Sequence, residues 1–253
     1  KSGAQPLREI ADTRPVLEVE RLSRAHEFKD VSFSLRKGEI LGISGLIGSG
    51  RTEMAKCIFG LTRADTGHVM LNGEKVNFGA PLDAIRAGLI YLPEERKQEG
   101  IFPLLSIAEN TAIATLDRFT GVLRMRNREM LAEVDDLARQ MKAKFNSLKD
   151  PITSLSGGNQ QKFIIARWLM RDAHVLILDE PTRGIDVNAK FEIQSVLRKL
   201  TEERGLSIIV ISSEMEELLD VADRILVMHE GKVKGVVDRE EASQEGLLQL
   251  AMN

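Results

Sequence analysis

The sequence holds a single cysteine, Cys57, in 253 residues. No internal disulfide can form, and so sparing a use of thiol fits a reducing compartment. Long apolar runs are missing as well. None exceeds four residues, whereas a bilayer-spanning helix needs about twenty. No secretory leader pattern is visible at the start. An excess of positive charge is lacking too: 35 Lys and Arg stand against 38 Asp and Glu, for a net charge of −3. The broad basic footprint that nucleic acid demands is therefore absent, and no nucleic-acid partner is expected. There is no internal repeat. The first residue is Lys1 rather than Met, which suggests a piece excised from a longer protein.

What is present describes an ordinary soluble protein, 43% hydrophobic and 29% charged. The length can bury a full core, as one large domain or a core with a subdomain. Residues 1–15 mix Gly3, Pro6 and Pro15 with charges and show no period, so they read as a linker or tail. Val16–Glu20 and Val31–Leu35 alternate as strands do. With a hairpin at Gly67–Gly73, turned by Asn72-Gly73, they predict a small antiparallel sheet. Leu89–Leu92 is a short apolar strand ended by Pro93, and Glu94–Gly100 follows as a charged loop. The spacing predicts helices over Ser106–Leu116 and Arg126–Phe145, the latter with Leu131, Val134, Leu137, Ala138 and Met141 on one face. These helices predict a helical subdomain over residues 94–172. Arg124, Arg126 and Arg128 read as a solvated face.

Val175–Leu178 is apolar at every position, as a parallel strand covered on both faces is. A helix over Val187–Glu202, a strand over Ser207–Ile211, a helix from Glu214 and strands over Arg224–Met228 and Lys232–Val237 complete an α/β alternation.

Three stretches carry chemistry. Gly45-Leu46-Ile47-Gly48-Ser49-Gly50-Arg51-Thr52 follows the apolar strand Glu39–Ser44 and leads into a helix beginning near Glu53. Strand, glycine turn and helix in that order make a phosphate-binding loop, with backbone N–H groups and a helix start aimed at one anion. One position departs from the pattern: Arg51 stands where Lys is expected. Asp179 and Glu180 follow the buried strand, at the carboxyl end where α/β sheets bind ligands. In a phosphate-loop protein the first acid and Thr52 hold Mg²⁺, and the second orients or deprotonates an attacking water. The plainer reading, a pair that caps the turn Pro181–Gly184, weakens beside the glycine loop. Ser156-Gly157-Gly158-Asn159-Gln160 opens a helix with Ser156 as a possible cap. Two glycines directly after a cap are poor helix formers, a choice that suits an anion at exposed N–H groups.

These stretches, in order and spacing, resemble the ATP-binding cassette of ABC transporters along almost the whole chain. Gly45–Thr52 resembles the Walker A loop, Ser156–Gln160 the signature motif, Val175–Glu180 Walker B with its catalytic glutamate, and Gly184-Ile185-Asp186 the D-loop. The resemblance implies a P-loop ABC ATPase core, a mixed sheet with flanking helices. An N-terminal antiparallel β subdomain and an inserted helical subdomain join it in a single nucleotide-binding domain over 16–253. It also implies ATP and Mg²⁺ as cofactors and a head-to-tail second cassette, with ATP between one partner's Walker loops and the other's signature motif. Membrane permease subunits and, indirectly, a periplasmic or extracellular solute-binding protein complete the expected partners. Phe102 and Leu105, in the loop after Glu94, are where a permease would dock. The implied location is peripheral, on the cytoplasmic side of a bacterial inner membrane.

Three departures fall on the hydrolytic machinery: Arg51 for the Walker Lys, Glu94 for the Q-loop glutamine, and Ser213 for the switch histidine. A guanidinium does not reach a phosphate as an ammonium does, and Ser213 cannot carry a proton. Glu94 is tolerable near phosphate if it ligates Mg²⁺ directly. The group they resemble is the second cassette of tandem ATPases that energise bacterial monosaccharide importers of the ribose, xylose and galactose type. A degenerate site of its own, with a signature motif serving the partner's site, is then expected. A non-hydrolytic, ATP-gated dimerisation module is the alternative. A cassette that hydrolyses normally despite the substitutions is a further one. A soluble cassette of DNA repair or translation is disfavoured by the lack of a coiled-coil insertion. For adenine stacking the candidates are His26 and Phe28, with Phe28 in register for a core strand; Trp168 reads as core.

Overall fold

The computed structural model describes residues 14–95, 100–120 and 126–252. Most of the expected tail, part of the charged loop after Pro93, and Arg124 lie outside the described residues. The chain divides into two compact units. One is drawn from Lys1–Leu92, His174–Pro181 and Leu197–Asn253, the other from Pro93–Ala173 and Thr182–Val196.

The first unit contains two sheets. Strands β1 (Pro15–Arg24), β2 (Phe28–Arg36), β4 (Thr66–Leu71) and β5 (Glu74–Val76) form the expected antiparallel sheet, in the order β2-β1-β4-β5. Leu17, Val19, Val31 and Leu35 turn inward from it and are buried. Asn72 and Gly73 both have positive φ, 52° and 80°, as a two-residue hairpin turn requires.

The strand that feeds the glycine loop joins the second sheet instead. There β3 (Ile40–Gly45), β6 (Leu89–Leu92), β7 (Val175–Asp179), β8 (Ser207–Ile211), β9 (Arg224–His229) and β10 (Lys232–Asp238) run in the order β10-β9-β3-β8-β7-β6. Only the edge strand β10 is antiparallel to its neighbour. Strands β3, β6, β7 and β8 are buried at every residue, which is why β6, β7 and β8 each carry four apolar residues in a row. Helix α1 (Arg51–Ile58) sets Met54 and Ile58 into one core with Leu41, Ile43, Ile177 and Ile211. Each such side chain contributes about 1.5–3 kcal/mol when fully buried. Helices α2 (Pro81–Arg86) and α9 (Gln244–Met252), not anticipated from the sequence, also belong to this unit, as does α8 (Met215–Val221).

The second unit is helical. A capping box between Ser106 and Glu109 starts α3 (Ile107–Ala112). The single helix expected to Leu116 is instead three pieces: α3, a 3₁₀ turn over Ile113–Thr115, and α4 (Leu116–Phe119). Helix α5 (Asn127–Gln140) stops short of the expected Phe145, because Lys142 takes a left-handed φ of 49°. Val134, Leu137, Ala138 and Met141 are buried as expected, but Met130 joins them where Leu131 is only half-buried. Helix α6 (Gly157–Leu169) follows, and the first part of α7 (Val187–Arg204) lies in this unit too. Trp168 is half-buried rather than core.

Candidate functional site

At the end of β3 the chain turns sharply. Ser49 N–H donates to Leu46 O at 3.0 Å, and the loop tip leaves Leu46 and Ile47 exposed. Gly50 precedes α1 with φ 88°, and a Cβ there would lie 2.7 Å from Glu27 O. Both the conformation and the close approach demand glycine. Met54 N–H is the first helix amide to bond back, to Gly50 O at 3.0 Å. The amides of Arg51, Thr52 and Glu53 precede any helical partner, so with the helix dipole they can receive an anion.

Two strands away, β7 delivers Asp179 to the same edge of the sheet. Its carboxylate is buried, and Oδ2 accepts the phenol O–H of Tyr91 at 2.9 Å. Oδ1 is buried with no hydrogen-bond partner. Burial pushes the Asp179 pKa up, while the nearby hydroxyls of Thr52 and Tyr91 and the charges of Arg51 and Lys56 pull it back. An orphaned carboxylate oxygen beside a threonine hydroxyl fits a hard divalent cation such as Mg²⁺. No cluster of three or more His, Cys, Asp or Glu suited to a metal exists among the described residues. Such a cation would complete its shell with phosphate oxygens and water.

Glu180 takes a left-handed φ of 47°, a strained conformation for a non-glycine residue. Its N–H donates to Ile211 O at 2.9 Å, and its Oε1 accepts Ser213 N–H at 2.8 Å. Arg51 is 8% exposed, and its Nη1 donates to Ser212 O at 2.7 Å. Burial lowers the Arg51 pKa against the opposing charges of Glu180, Asp179 and Glu53. Ser212 is held from its other side as well: its Oγ donates to Glu217 Oε2 at 2.6 Å and accepts Glu214 N–H at 3.1 Å. Ser213 itself is exposed. These contacts follow from topology, since β3 and β8 are parallel neighbours with Ile43 opposite Ile211. The sequence named the charged members but missed Tyr91 and Ser212, an uncharged phenol and a carbonyl with no signature of their own.

The first unit thus brings together Gly45–Glu53, Asp179, Glu180 and Ser213, while Glu94, Ser156–Gln160 and Asp186 belong to the second. Glu94 forms an ion pair with Arg183. Ser156 sits at the start of α6 but caps no amide; its Oγ accepts Asn159 Nδ2–H at 3.0 Å. Asn159 Oδ1 in turn accepts Lys144 N–H at 2.9 Å. Gln160 was expected among the nucleotide contacts, yet its amide is turned inward to Ile152 O and Leu155 O at 3.3 and 3.2 Å. Gly158 has a packing reason beside any anion: a Cβ there would lie 2.6 Å from that of Ala189. Asp186 caps α7, accepting Ala189 N–H at 3.0 Å. Phe28 is core, as expected, and His26 stands exposed on a turn. Both border an open cleft of about 730 Å³ reaching Gly48 and Lys232.

A glycine loop between the first strand of a parallel sheet and its helix, with adjacent acids ending a nearby strand, defines a P-loop fold of the nucleoside-triphosphate-binding class. Residues 28–183 match the ABC transporter family and residues 132–250 a P-loop domain. The chain belongs to the ABC transporter family. It is 48% identical over 246 residues to a putative ribose/galactose/methyl galactoside import ATP-binding protein of Pseudomonas syringae pv. syringae. That match covers 97% of this chain and 47% of the relative. It is 45% identical over 238 residues to the ribose import ATP-binding protein RbsA of Oceanobacillus iheyensis, covering 94% and 48%. The chain spans about half the length of the curated relatives it matches. Among solved structures, an ATP-binding cassette in a dimeric post-hydrolysis state, bound to ADP and Pi, superposes with a TM-score of 0.76. Identity there is 21%, over 88% of this chain and 98% of that one, so the likeness is one of fold.

Proposed function

We propose that the chain is an ATP-binding cassette that energises import of a monosaccharide or related small solute through an ABC transporter. It acts as the second cassette of a tandem polypeptide, peripheral on the cytoplasmic face of a bacterial membrane. Identity of 48% to a sugar-import ATP-binding protein supports the class of cargo. No described helix is long and apolar enough to cross a membrane, so a separate permease would carry the solute path. Phe102 and Leu104, exposed in the second unit, would face that permease, and a solute-binding protein would deliver the cargo.

In this reading the amides of Arg51, Thr52 and Glu53 receive the phosphates of ATP, and Thr52 with Asp179 holds Mg²⁺. The metal, when bound, neutralises phosphate oxygens. The observation that carries the reading of a weak site is the Arg51–Ser212 hydrogen bond. It commits the only cation at the Walker lysine position to a backbone carbonyl. Glu180, the residue placed to orient water, already accepts Ser213 N–H, and Ser213 offers no imidazole to stabilise charge. The site therefore holds nucleotide better than it turns it over. Ser156, Gly157 and Asn159 complete the partner cassette's site across a head-to-tail pair.

A second reading, a non-hydrolytic gate, is favoured by the engaged Glu180 carboxylate alone. One experiment separates the two. In the assembled transporter, E180Q is expected to lower transport less than about two-fold under the non-hydrolytic reading. A fall near the ~10²–10⁴-fold range of a lost general base marks this site as hydrolytic.

A further inference from the structure

The second unit holds a buried cation that the nucleotide chemistry does not use. Arg167 lies on α6 about three turns beyond Ser156, some ~16 Å along the axis. It is 6% exposed, and burial pushes its pKa down to about 10 with no charged neighbour opposing the shift. Arg118 and Arg171 of the same unit are paired with Glu133 and Asp117; Arg167 instead has a carbonyl and a ring. Its Nε donates to Asn110 O at 2.7 Å, and its Cζ stands 5.6 Å from the centroid of Phe102. A solitary buried cation is costly unless such partners hold it.

Those partners meet at one loop: Phe102 lies in it, and Asn110, on α3, holds it. The Asn110 side chain accepts Phe102 N–H at 2.8 Å and donates to Phe102 O, Leu105 O and Ser106 O at 2.9, 3.1 and 3.0 Å. The loop backbone is thereby fixed, yet Phe102 is 46% and Leu104 98% exposed. A rigid loop presenting bare apolar side chains is built to be touched, not to flex.

We propose that Arg167 is a positioning residue that ties the signature helix to the Phe102–Leu105 loop, so that displacement of the Ser156 end is passed to the surface facing the permease. The proposal rests on the reading of that loop as the permease contact. Phe102 lies on the guanidinium with one face and looks outward with the rest, so the ring is the transmitting part.

The test uses the complete transporter, with its full ATPase polypeptide, permease and binding protein, in proteoliposomes. Solute imported per ATP hydrolysed is read directly, and nucleotide binding and thermal melting check folding. R167K keeps the charge but loses the planar stack, and F102L keeps bulk but loses the ring. Each is expected to lower the coupling ratio about ten-fold, between the scale of an exposed and that of a fully desolvated cation–π contact. The double variant is expected to be no worse than the worse single one, and F102Y to retain coupling. Import and hydrolysis falling in parallel, or the single effects multiplying in the double variant, overturns the proposal. L104D abolishing coupling while R167K leaves it intact overturns the proposal and spares the docking reading. L104D and F102L both leaving coupling intact removes the docking reading itself.

Discussion

The two ends expected to meet nucleotide are built in opposite ways. In the first unit the loop arginine and both acids are each engaged by a neighbouring residue: Arg51 by Ser212, Glu180 by Ser213, Asp179 by Tyr91. In the second, Ser156 is exposed at the start of α6 and bonds only within its own turn, to Asn159. Side chains that already have hydrogen-bond partners must be released before they can serve a ligand. Those that stand at a bare helix start need only be approached. On the function proposed above, the difference teaches that the chain would contribute to turnover more through what it offers a partner than through what its own loop performs.

The largest effect should come from breaking the open end. S156R, at an exposed position where folding is not at issue, is expected to lower ATP hydrolysis by the assembled transporter about 10²-fold or more, as loss of a transition-state donor does. An unchanged rate would make the two ends equivalent.

Next is D179N, which should abolish the Mg²⁺ dependence of nucleotide binding at this site, read by titration with and without the metal. It should also raise the melting temperature of the unligated protein. The sign follows from burial. A folded-state pKa above the ordinary carboxylate value means that the ionised group opposes folding, so stability grows as pH falls through the raised pKa toward the ordinary one. D179N should flatten that rise, and a melting curve with unchanged pH dependence would contradict it.

A smaller effect is expected from R51K. Releasing the Ser212 carbonyl should tighten ATP binding about five-fold, on the scale of one hydrogen bond of ~1 kcal/mol. Turnover should stay low, because Ser213 remains. Smallest of all should be E180Q if the site is a non-hydrolytic gate, under about two-fold on transport, in contrast to the general-base scale. A larger loss for E180Q than for S156R would invert the comparison.

The fold was legible because its strands obey simple patterns. Val175–Leu178 is apolar at every position since it is covered on both faces, and Val16–Glu20 alternates since it is covered on one. Helix ends were harder: nothing in the local pattern announces that Lys142 turns left-handed and ends α5. In the site, Gly45–Thr52 and Asp179-Glu180 were legible because phosphate and metal chemistry dictate both residue type and spacing. The Arg51–Ser212 bond was not. It joins residues 161 positions apart, and only the β3–β8 pairing brings them together. Gln160 misled for a related reason. An amide suits a nucleotide or a carbonyl equally, and only the path of Ile152–Leu155 decides which one it meets.

Tyr91 is the single tyrosine of the chain, and its phenol bonds the carboxylate proposed to hold the metal. A phenol's near-ultraviolet absorption shifts when the oxygen it donates to changes charge or is drawn toward a cation. The protein therefore carries an unlabelled optical gauge at a buried acid. A difference spectrum taken as Mg²⁺ and nucleotide arrive would follow that one carboxylate, with no other phenol in the background.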